Sequence, residues 1–105
     1  MHWVYILYSK SLDRFYVGET FLSPEERLIQ HNTNYYPDKF TKAGKPWMLF
    51  FKIKCESEIN AKEIEKHIKN MKSKKYINDL VKYPDMISKL IEKYENRRLV
   101  LGSPR

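Results

Sequence analysis

The chain of 105 residues has a mass of 12.8 kDa, which is the size of one domain. Hydrophobic residues make up 42% and glycine occurs only 3 times, so the composition predicts a folded domain and excludes a low-complexity linker. A formal net charge of +7 is typical of a protein with a polyanionic partner, nucleic acid first and an acidic membrane surface second, although a basic surface that only keeps the protein soluble explains the charge equally. The single cysteine, Cys55, excludes an intrachain disulfide and a zinc site of several thiolates, and it fits a reducing compartment.

The first predicted element is a strand over residues 3–9, a run of β-branched and aromatic side chains. This run is too short to span a membrane and lacks both a cationic start and a small-residue cleavage site. We therefore expect no signal peptide, no membrane association and a cytoplasmic protein. Residues 15–18 resume the strand character after a polar turn, which predicts an antiparallel hairpin.

A helix is predicted from Pro24 to Asn32. Ser23 suits the N-cap, Pro24 the first helical position and Glu26 the reciprocal position of a capping box. Residues 33–46 are polar, contain prolines and a glycine, and are expected to form a long loop. The third strand is predicted over residues 47–55.

Helices are predicted for the rest of the chain. Ala61, Ile64, Ile68 and Met71 recur at helical spacing within residues 57–72 and define a buried face. Further helices are predicted around residues 76–82 and from Pro84, whereas residues 97–105 are expected to be a frayed tail. This order predicts an α+β fold in which helices cover a small antiparallel sheet. We assign residues 1–85 to one domain, with residues 86–105 as a helix and tail packed on it or extending it.

Two pairs of residues are candidates for chemistry in the first half of the chain. Tyr5 and Tyr16 lie in adjacent predicted strands and can share a face of the sheet, although ordinary cross-strand packing is the more common reason for such a pair. Arg27 and His31 are four residues apart on a helix and so share a face. Directed toward the sheet they would form a cationic phosphate site; the alternative is a solvated helix face with Arg27 paired to a nearby glutamate.

The helix predicted over residues 57–72 supplies a candidate metal ligand. Glu65 lies about 40° from Ala61 around the helix axis, at the border of the buried face, whereas Glu63 lies opposite the core and is expected to be solvated. A carboxylate at the edge of a core is paired, hydrated or bound to a metal. Both a divalent ion such as Mg²⁺ and a salt bridge to a lysine of the same helix are open for Glu65.

Lysines and aromatic residues give a second set of candidates, for nucleic-acid binding. The same helix carries a stripe that either faces phosphates or is merely solvated: Lys62, Lys66, Lys69 and Lys72. Aromatic side chains of the expected loop either stack on bases or anchor the loop to its own domain: Tyr35, Tyr36 and Phe40.

Two short motifs resemble the signature of a known nuclease superfamily. Residues 4–6 (Val-Tyr-Ile) and 16–18 (Tyr-Val-Gly) are similar to the two elements that name the GIY-YIG nucleases, and the separation of 11 residues between the tyrosines is typical. Further downstream, the resemblance extends to the family's arginine helix and glutamate helix, matched by Arg27-Leu28, His31-Asn32, Ser57, Ala61, Glu65, Ile68 and Lys69. It covers about residues 3–75 and looks closest to stand-alone bacterial proteins related to the N-terminal nuclease domain of the bacterial excision-repair nuclease.

This resemblance implies a three-stranded antiparallel sheet flanked by helices and one concave site formed by Tyr5, Tyr16, Arg27, His31 and Glu65. It implies an endonuclease that hydrolyses a phosphodiester with one metal ion. Glu65 would hold Mg²⁺ or Mn²⁺, which neutralises charge on the leaving oxygen. Arg27 would bind the phosphate, and either tyrosine would position or deprotonate the attacking water. Glu19, where many relatives have a neutral or basic residue, either repels phosphate or binds metal.

The expected substrate is nucleic acid, DNA rather than RNA, and DNA repair is one expected field of action. A non-catalytic nucleic-acid-binding module that keeps the fold is the alternative hypothesis. A third hypothesis assigns the amphipathic last helix to a protein partner or a dimer.

Overall fold

A computed structural model describes residues 2–33, 35 and 39–102 of the chain. The sheet consists of three antiparallel strands in the order β2-β1-β3, so the predicted α+β class and three-stranded sheet are confirmed. In chain order the elements are β1 (His2–Ser9), β2 (Arg14–Thr20), α1 (Pro24–Asn32), α2 (Lys39–Ala43), β3 (Trp47–Cys55), α3 (Glu58–Met71), α4 (Lys74–Lys82) and α5 (Pro84–Gly102).

The strand register decides which side chains share a face of the sheet. Tyr5 lies opposite Gly18 and Leu7 opposite Tyr16, so these four residues are on one face. Between β1 and β3 the register shifts after Ile6, which leaves Phe50 as the extra residue of a β-bulge. The two edges of the sheet therefore differ: β2 pairs regularly with the central strand, whereas β3 is bent.

Each face of the sheet has its own core. On one face, Val4, Ile6 and Val17 pack with α3, α4 and α5 in a large buried cluster. On the other face, Tyr5, Leu7 and Trp47 form a smaller cluster beside α1. The sheet is consequently sandwiched between α1 and α2 on one side and the last three helices on the other.

Serine side chains begin three of the helices. Ser23, Ser57 and Ser73 each accept a hydrogen bond from the backbone N–H three residues later, which satisfies one of the unpaired donors of the first turn. The helix predicted from Pro24 to Asn32 is confirmed at both ends. No helix among residues 2–33, 35 and 39–102 has the combined length and apolarity needed to cross a bilayer.

The prediction of a long loop over residues 33–46 is partly wrong, because α2 lies within it. The indole N–H of Trp47 donates to the Thr41 carbonyl over 2.9 Å, and the ring packs 5.5 Å from that of Phe40. Tertiary packing on Trp47 therefore stabilises a helix that local composition does not predict. Tyr36, one of the aromatic candidates, lies outside the described residues.

Three expectations for the second half of the chain also need correction. Met71 is 45% exposed rather than buried, because α3 ends there and its last turn extends beyond the core. Glu63 is partly buried rather than solvated, because α5 covers that side of α3. The helix of residues 84–102 continues through most of the expected tail, since no proline or glycine interrupts residues 85–101.

The division at residue 85, with residues 86–105 packed on the domain or extending it, stays a prediction. Leu90 and Tyr94 of α5 belong to the same buried cluster as α3. Residues 103–105 lie outside the described part of the chain.

Candidate active site

Tyr5 is held in a tightly defined position on the central strand. Its ring lies against Gly18, where an added Cβ would be 2.5 Å from the hydroxyl oxygen and 2.6 Å from Cζ. The hydroxyl is 3.1 Å from Nε2 of His31 on α1, and only 3% of Tyr5 is exposed. A glycine opposite Tyr5 is thus required for the phenol to reach the histidine.

Tyr16 and His31 complete an aromatic cluster on the same face. The Tyr16 ring centroid lies 6.2 Å from that of Tyr5 and 4.5 Å from that of His31, and it also contacts Trp47 at 6.1 Å. Tyr16 is half-buried, whereas His31 is 0% exposed. The structure therefore brings three of the predicted site residues together, with Tyr16 the one most accessible to solvent.

Arg27 approaches this cluster from α1. Its Nε donates to Oγ1 of Thr20 over 3.0 Å, and its Nη1 donates to Oε1 of Gln30 over 3.0 Å. Thr20 is buried and also accepts from the backbone N–H of Leu22. Since Thr20 is separated from Gly18 by one residue on β2, it lies on the Tyr5 face of the sheet. The guanidinium is thereby anchored on the same face as both tyrosines.

Glu65 approaches from the other side of the sheet. It lies on α3, whose residues Ile64 and Ile68 pack on the face opposite Tyr5. Its carboxylate pairs with the Lys69 ammonium over 3.0 Å, and 19% of the side chain is exposed. The salt bridge left open by the sequence is therefore present, and the carboxylate still reaches solvent.

A cavity of about 440 Å³ lies where α3 passes the edge strand β2. Tyr16 and Val17 line it from the strand, and Ile68 and Lys69 line it from the helix. Because Lys69 also pairs with Glu65, the cavity adjoins the helix turn that carries this carboxylate. The edge of β2 is thus the place at which residues from both faces of the sheet approach one another.

Glu65 and a second carboxylate, Glu19, both act on the same lysine. The pKa of the Lys62 ammonium is raised, first by its hydrogen bond to Glu58 and further by the charges of Glu19 and Glu65. Glu19 Oε2 is buried and lies 3.5 Å from Nε2 of His2. Both Glu19 and Glu65 are therefore within electrostatic reach of one lysine.

These donors fit a hard divalent ion that keeps most of its water. Mg²⁺ is commonly bound by one or two carboxylates together with substrate phosphates. The Glu65 carboxylate supplies that type of oxygen ligand. Within the described ranges there is no group of three or more His, Cys, Asp or Glu side chains arranged to hold a metal, so a closed protein cage is not formed there.

The predicted lysine stripe is divided among different surroundings. Lys62 pairs with Glu58 over 2.8 Å, and Lys69 pairs with Glu65. Lys72 lines the cavity beside β2, whereas Lys66 lines a separate cavity that also includes His67 and Tyr94. Lys69 and Lys72 therefore share the lining of one cavity, Lys62 and Lys66 lie outside that lining, and nucleic-acid binding by the four lysines stays a prediction.

Sequence reasoning assigns no role in the site to three residues that lie near it. Thr20 follows the second motif without any sign of a role, yet its hydroxyl anchors Arg27. Arg14 and Lys74 both line the cavity at β2. The sequence around Arg14 is typical of a turn, but β2 begins at this residue, and strand alternation counted back from Tyr16 places it on the same face.

Comparison with known proteins identifies the family of the chain. The model of the GIY-YIG catalytic domain family matches residues 1–78, which include both tyrosine motifs, α1 and α3. No curated protein and no solved structure gives a significant match. Since the family model covers well over half of the 105 residues, the chain belongs to the GIY-YIG catalytic domain family.

Proposed function

We propose that this protein is a divalent-metal-dependent endonuclease that hydrolyses phosphodiester bonds in DNA. The observation that carries the proposal is the arrangement around β2. Two phenols and the Arg27 guanidinium lie on one face of this edge strand, and the helix that carries Glu65 passes its other side. Such a set can orient water, bind a phosphate and hold a cation at one edge of the sheet.

The two tyrosines have different roles in this proposal. Tyr16 is half-buried and lines the cavity, so its hydroxyl is the one assigned to the attacking water. Tyr5 is buried against Gly18 and hydrogen-bonded to His31. In this proposal Tyr5 and His31 therefore act as positioning residues that hold the ring of Tyr16. A phenol with a pKa near 10 is a weak base at neutral pH, and neighbouring cations make proton transfer to it easier.

Arg27 binds the scissile phosphate in this mechanism. Its hydrogen bond to Thr20 fixes the direction of the guanidinium, so little reorganisation is needed as charge builds up on the phosphoryl oxygens. A single well-placed donor of this kind stabilises a transition state by roughly 3–4 kcal/mol. We therefore expect Arg27→Ala to reduce the cleavage rate by at least 100-fold, which is about 2.7 kcal/mol.

Glu65 is the proposed ligand of Mg²⁺ or Mn²⁺. The ion, when bound, supplies positive charge that neutralises the developing charge on the leaving oxygen. In the structure the Glu65 carboxylate is paired with the Lys69 ammonium. The Lys69 side chain is half exposed, and exposed ion pairs contribute little to stability. The carboxylate is therefore readily exchanged from the ammonium to a divalent cation.

Cleavage assays test the proposal directly. Branched, nicked, single-stranded and double-stranded DNA and matched RNAs are incubated with Mg²⁺, Mn²⁺ or chelator. We expect metal-dependent cutting of DNA that is lost in Glu65→Gln and in Tyr16→Phe. Glu92→Gln and Tyr83→Phe, at exposed positions of the helical layer and of its connection, are the matched controls and should cut normally. Absence of metal-dependent cutting on every substrate contradicts the proposal.

A non-catalytic nucleic-acid-binding module is the second candidate. The observation in its favour is the Glu65–Lys69 ion pair, which neutralises the proposed metal ligand. This candidate predicts salt-dependent DNA binding without cutting, and equal binding by wild type and Glu65→Gln. Added Mg²⁺ separates the two candidates, since only the nuclease should bind DNA more tightly with the metal than in chelator.

The C-terminal helix is proposed as a surface for a protein partner or a second copy, and the cytoplasm as the place of action. Removal of all residues 86–105 would take Leu90 and Tyr94 out of the core, so it is a poor test. Truncation after residue 95 keeps both residues, and a change in oligomeric state without loss of DNA binding would support the proposed surface.

A further inference from the structure

The cavity at β2 has a strongly cationic lining. Four basic side chains surround it, from three elements and from the residue between α3 and α4: Arg14, Lys69, Lys72 and Lys74. Its other lining residues are apolar, aromatic or hydroxyl-bearing, and no aspartate or glutamate is among them. A pocket with this lining favours an anion, and its volume of about 440 Å³ admits a phosphate with its attached sugar.

The local fold forces these cations together. Helix α3 ends at Met71, Lys72 adopts a left-handed conformation with φ of 49°, and Ser73 caps the start of α4. A positive φ is uncommon for lysine and costs more than for glycine, so the tight reversal is imposed by the packing of the two helices. The reversal brings Lys72 and Lys74 to the same cavity, opposite the strand that begins at Arg14.

Two of the four basic side chains are paired with carboxylates that do not line the cavity. Lys74 pairs with Asp13 over 2.8 Å and lowers the pKa of that carboxyl, and Lys69 pairs with Glu65. For Arg14 and Lys72, no ion pair is formed with any residue that the structure describes. Arg14 also lies within electrostatic reach of Asp13, so two carboxylates face four cations around the cavity. An anion in the cavity would relieve the remaining repulsion among the positive charges.

We propose that this cavity binds a backbone phosphate of the substrate strand, next to the phosphate that is cut. The inference rests on the proposed nuclease function, because Tyr16 lines the same cavity and Lys69 joins it to Glu65. A strand whose scissile phosphate lies at Tyr16 and Arg27 would continue along β2 into the lysines of the α3–α4 junction. Arg14 and Lys72 are the residues assigned to this contact.

The first experiment measures DNA binding without cutting. The Glu65→Gln protein is titrated with fluorescent DNA at several salt concentrations, alone and with Arg14→Gln and Lys72→Gln added together. For duplex DNA, loss of one phosphate contact should lower the slope of log affinity against log salt by about 0.9. The control carries Lys82→Gln and Lys89→Gln, which remove the same net charge at exposed positions outside this cavity.

Equal slopes for the cavity variant and the control variant would overturn the proposal, since the effect would then be one of net charge. The proposal is equally overturned if the protein binds no nucleic acid. The proposal is supported if the slope falls by the value of about one phosphate contact in the cavity variant but not in the control variant. This holds even if the wild-type protein cuts none of the substrates. The result therefore separates failure of this pocket from failure of the proposed nuclease.

A second experiment locates the phosphate. Single phosphates of the DNA are replaced in turn by uncharged methylphosphonates, and binding is measured for the cavity variant and its Glu65→Gln parent. One position should weaken binding by the parent several-fold while leaving the cavity variant unaffected. If no position shows this coupling, or if inorganic phosphate competes as strongly as DNA, the cavity is not a backbone subsite.

Discussion

The Tyr5 hydroxyl occupies the space in which Gly18 would carry a side chain, 2.5 Å from the position of an ideal Cβ. The two residues are direct partners in the register of β1 and β2, so the glycine of the second motif accommodates the tyrosine of the first. This relationship links the two motifs physically. It also explains why the second motif ends in glycine at a position with no positive φ.

Replacement of Gly18 by alanine should therefore displace Tyr5. In a strand, alanine is otherwise preferred over glycine by roughly 0.5–1 kcal/mol. A loss of stability in Gly18→Ala would therefore indicate a steric clash, since without one the change should stabilise the protein. We expect overpacking to destabilise the protein by about 1–3 kcal/mol and to lower the cleavage rate, because the Tyr5–His31 hydrogen bond is broken. Urea unfolding measures the first effect. In a protein that also carries Tyr5→Leu, Gly18→Ala should lose much less stability. An equal loss of unfolding free energy with Tyr5 and with Leu at this position would refute the steric explanation.

Thr20 should control the activity through Arg27. Thr20→Val removes the hydroxyl that accepts from Arg27 Nε, and a hydrogen bond to a charged group contributes about 1.5–3 kcal/mol. We expect a roughly tenfold or greater fall in the rate constant for cleavage, with a smaller change in DNA affinity. Thr20→Ser keeps the hydroxyl and should restore most of the rate. A serine variant as slow as the valine variant would show that the methyl packing, not the hydrogen bond, matters.

Local signals in the sequence predict the helices and strands that have strong caps and clear periodicity. The bounds of α1 follow from Ser23 and Pro24, and the buried face of α3 follows from Ile64 and Ile68. The short helix α2 cannot be predicted in this way, because its stability depends on Trp47, which lies after it in the chain. Burial of Glu63 depends likewise on where a later helix packs.

The candidate site shows the same division between local and long-range information. A shared face for Tyr5 and Tyr16 can be proposed from the sequence, because both strands belong to one hairpin, but the register that places them there depends on the turn. The cationic cavity is not predictable from the sequence, since it combines Arg14 with Lys72, which are far apart along the chain and meet only in the folded protein. The hydrophobic periodicity of a single helix or strand does not indicate which residues of distant elements come into contact.

Asn32 should stabilise the junction between α1 and β3. Its amide donates to the Trp47 carbonyl over 2.9 Å and accepts from the Trp47 N–H over 2.6 Å, which imitates the pairing of a further strand. We expect Asn32→Ala to cost roughly 1–3 kcal/mol in the free energy of unfolding, because two backbone groups lose their partner. The control is Asn78→Ala on α4, an exposed position whose replacement should cost less than about 0.5 kcal/mol. Equal losses in both variants would contradict this role.

Cys55 should be chemically inert in the folded protein. Burial raises the pKa of its thiol to about 11, so only about one molecule in a thousand carries a thiolate at pH 8. Reaction with an aromatic disulfide reagent should be a few hundred-fold slower than for a free cysteine, which has a pKa near 8.5. One equivalent should react rapidly after denaturation. Rapid reaction of the native protein would mean that the end of β3 or the helix α5 detaches readily, because Cys55 is the last residue of β3 and is buried in one cluster with Leu90 and Tyr94.

His67 should make the stability of the α3–α5 contact depend on pH. Its Nδ1 lies 2.8 Å from the Tyr94 hydroxyl, and its pKa is lowered, first by burial and then by the charge of Lys93. Between the folded pKa and the unfolded value of about 6.5, the unfolded chain binds more protons. The contribution of neutral His67 is therefore complete above about pH 6.5 and is lost as the pH falls through the folded pKa. NMR titration should give a pKa below 6.5, and His67→Gln should reduce the fall of the unfolding free energy in acid. A pKa at or above 6.5 would show that the imidazolium is not disfavoured at this contact.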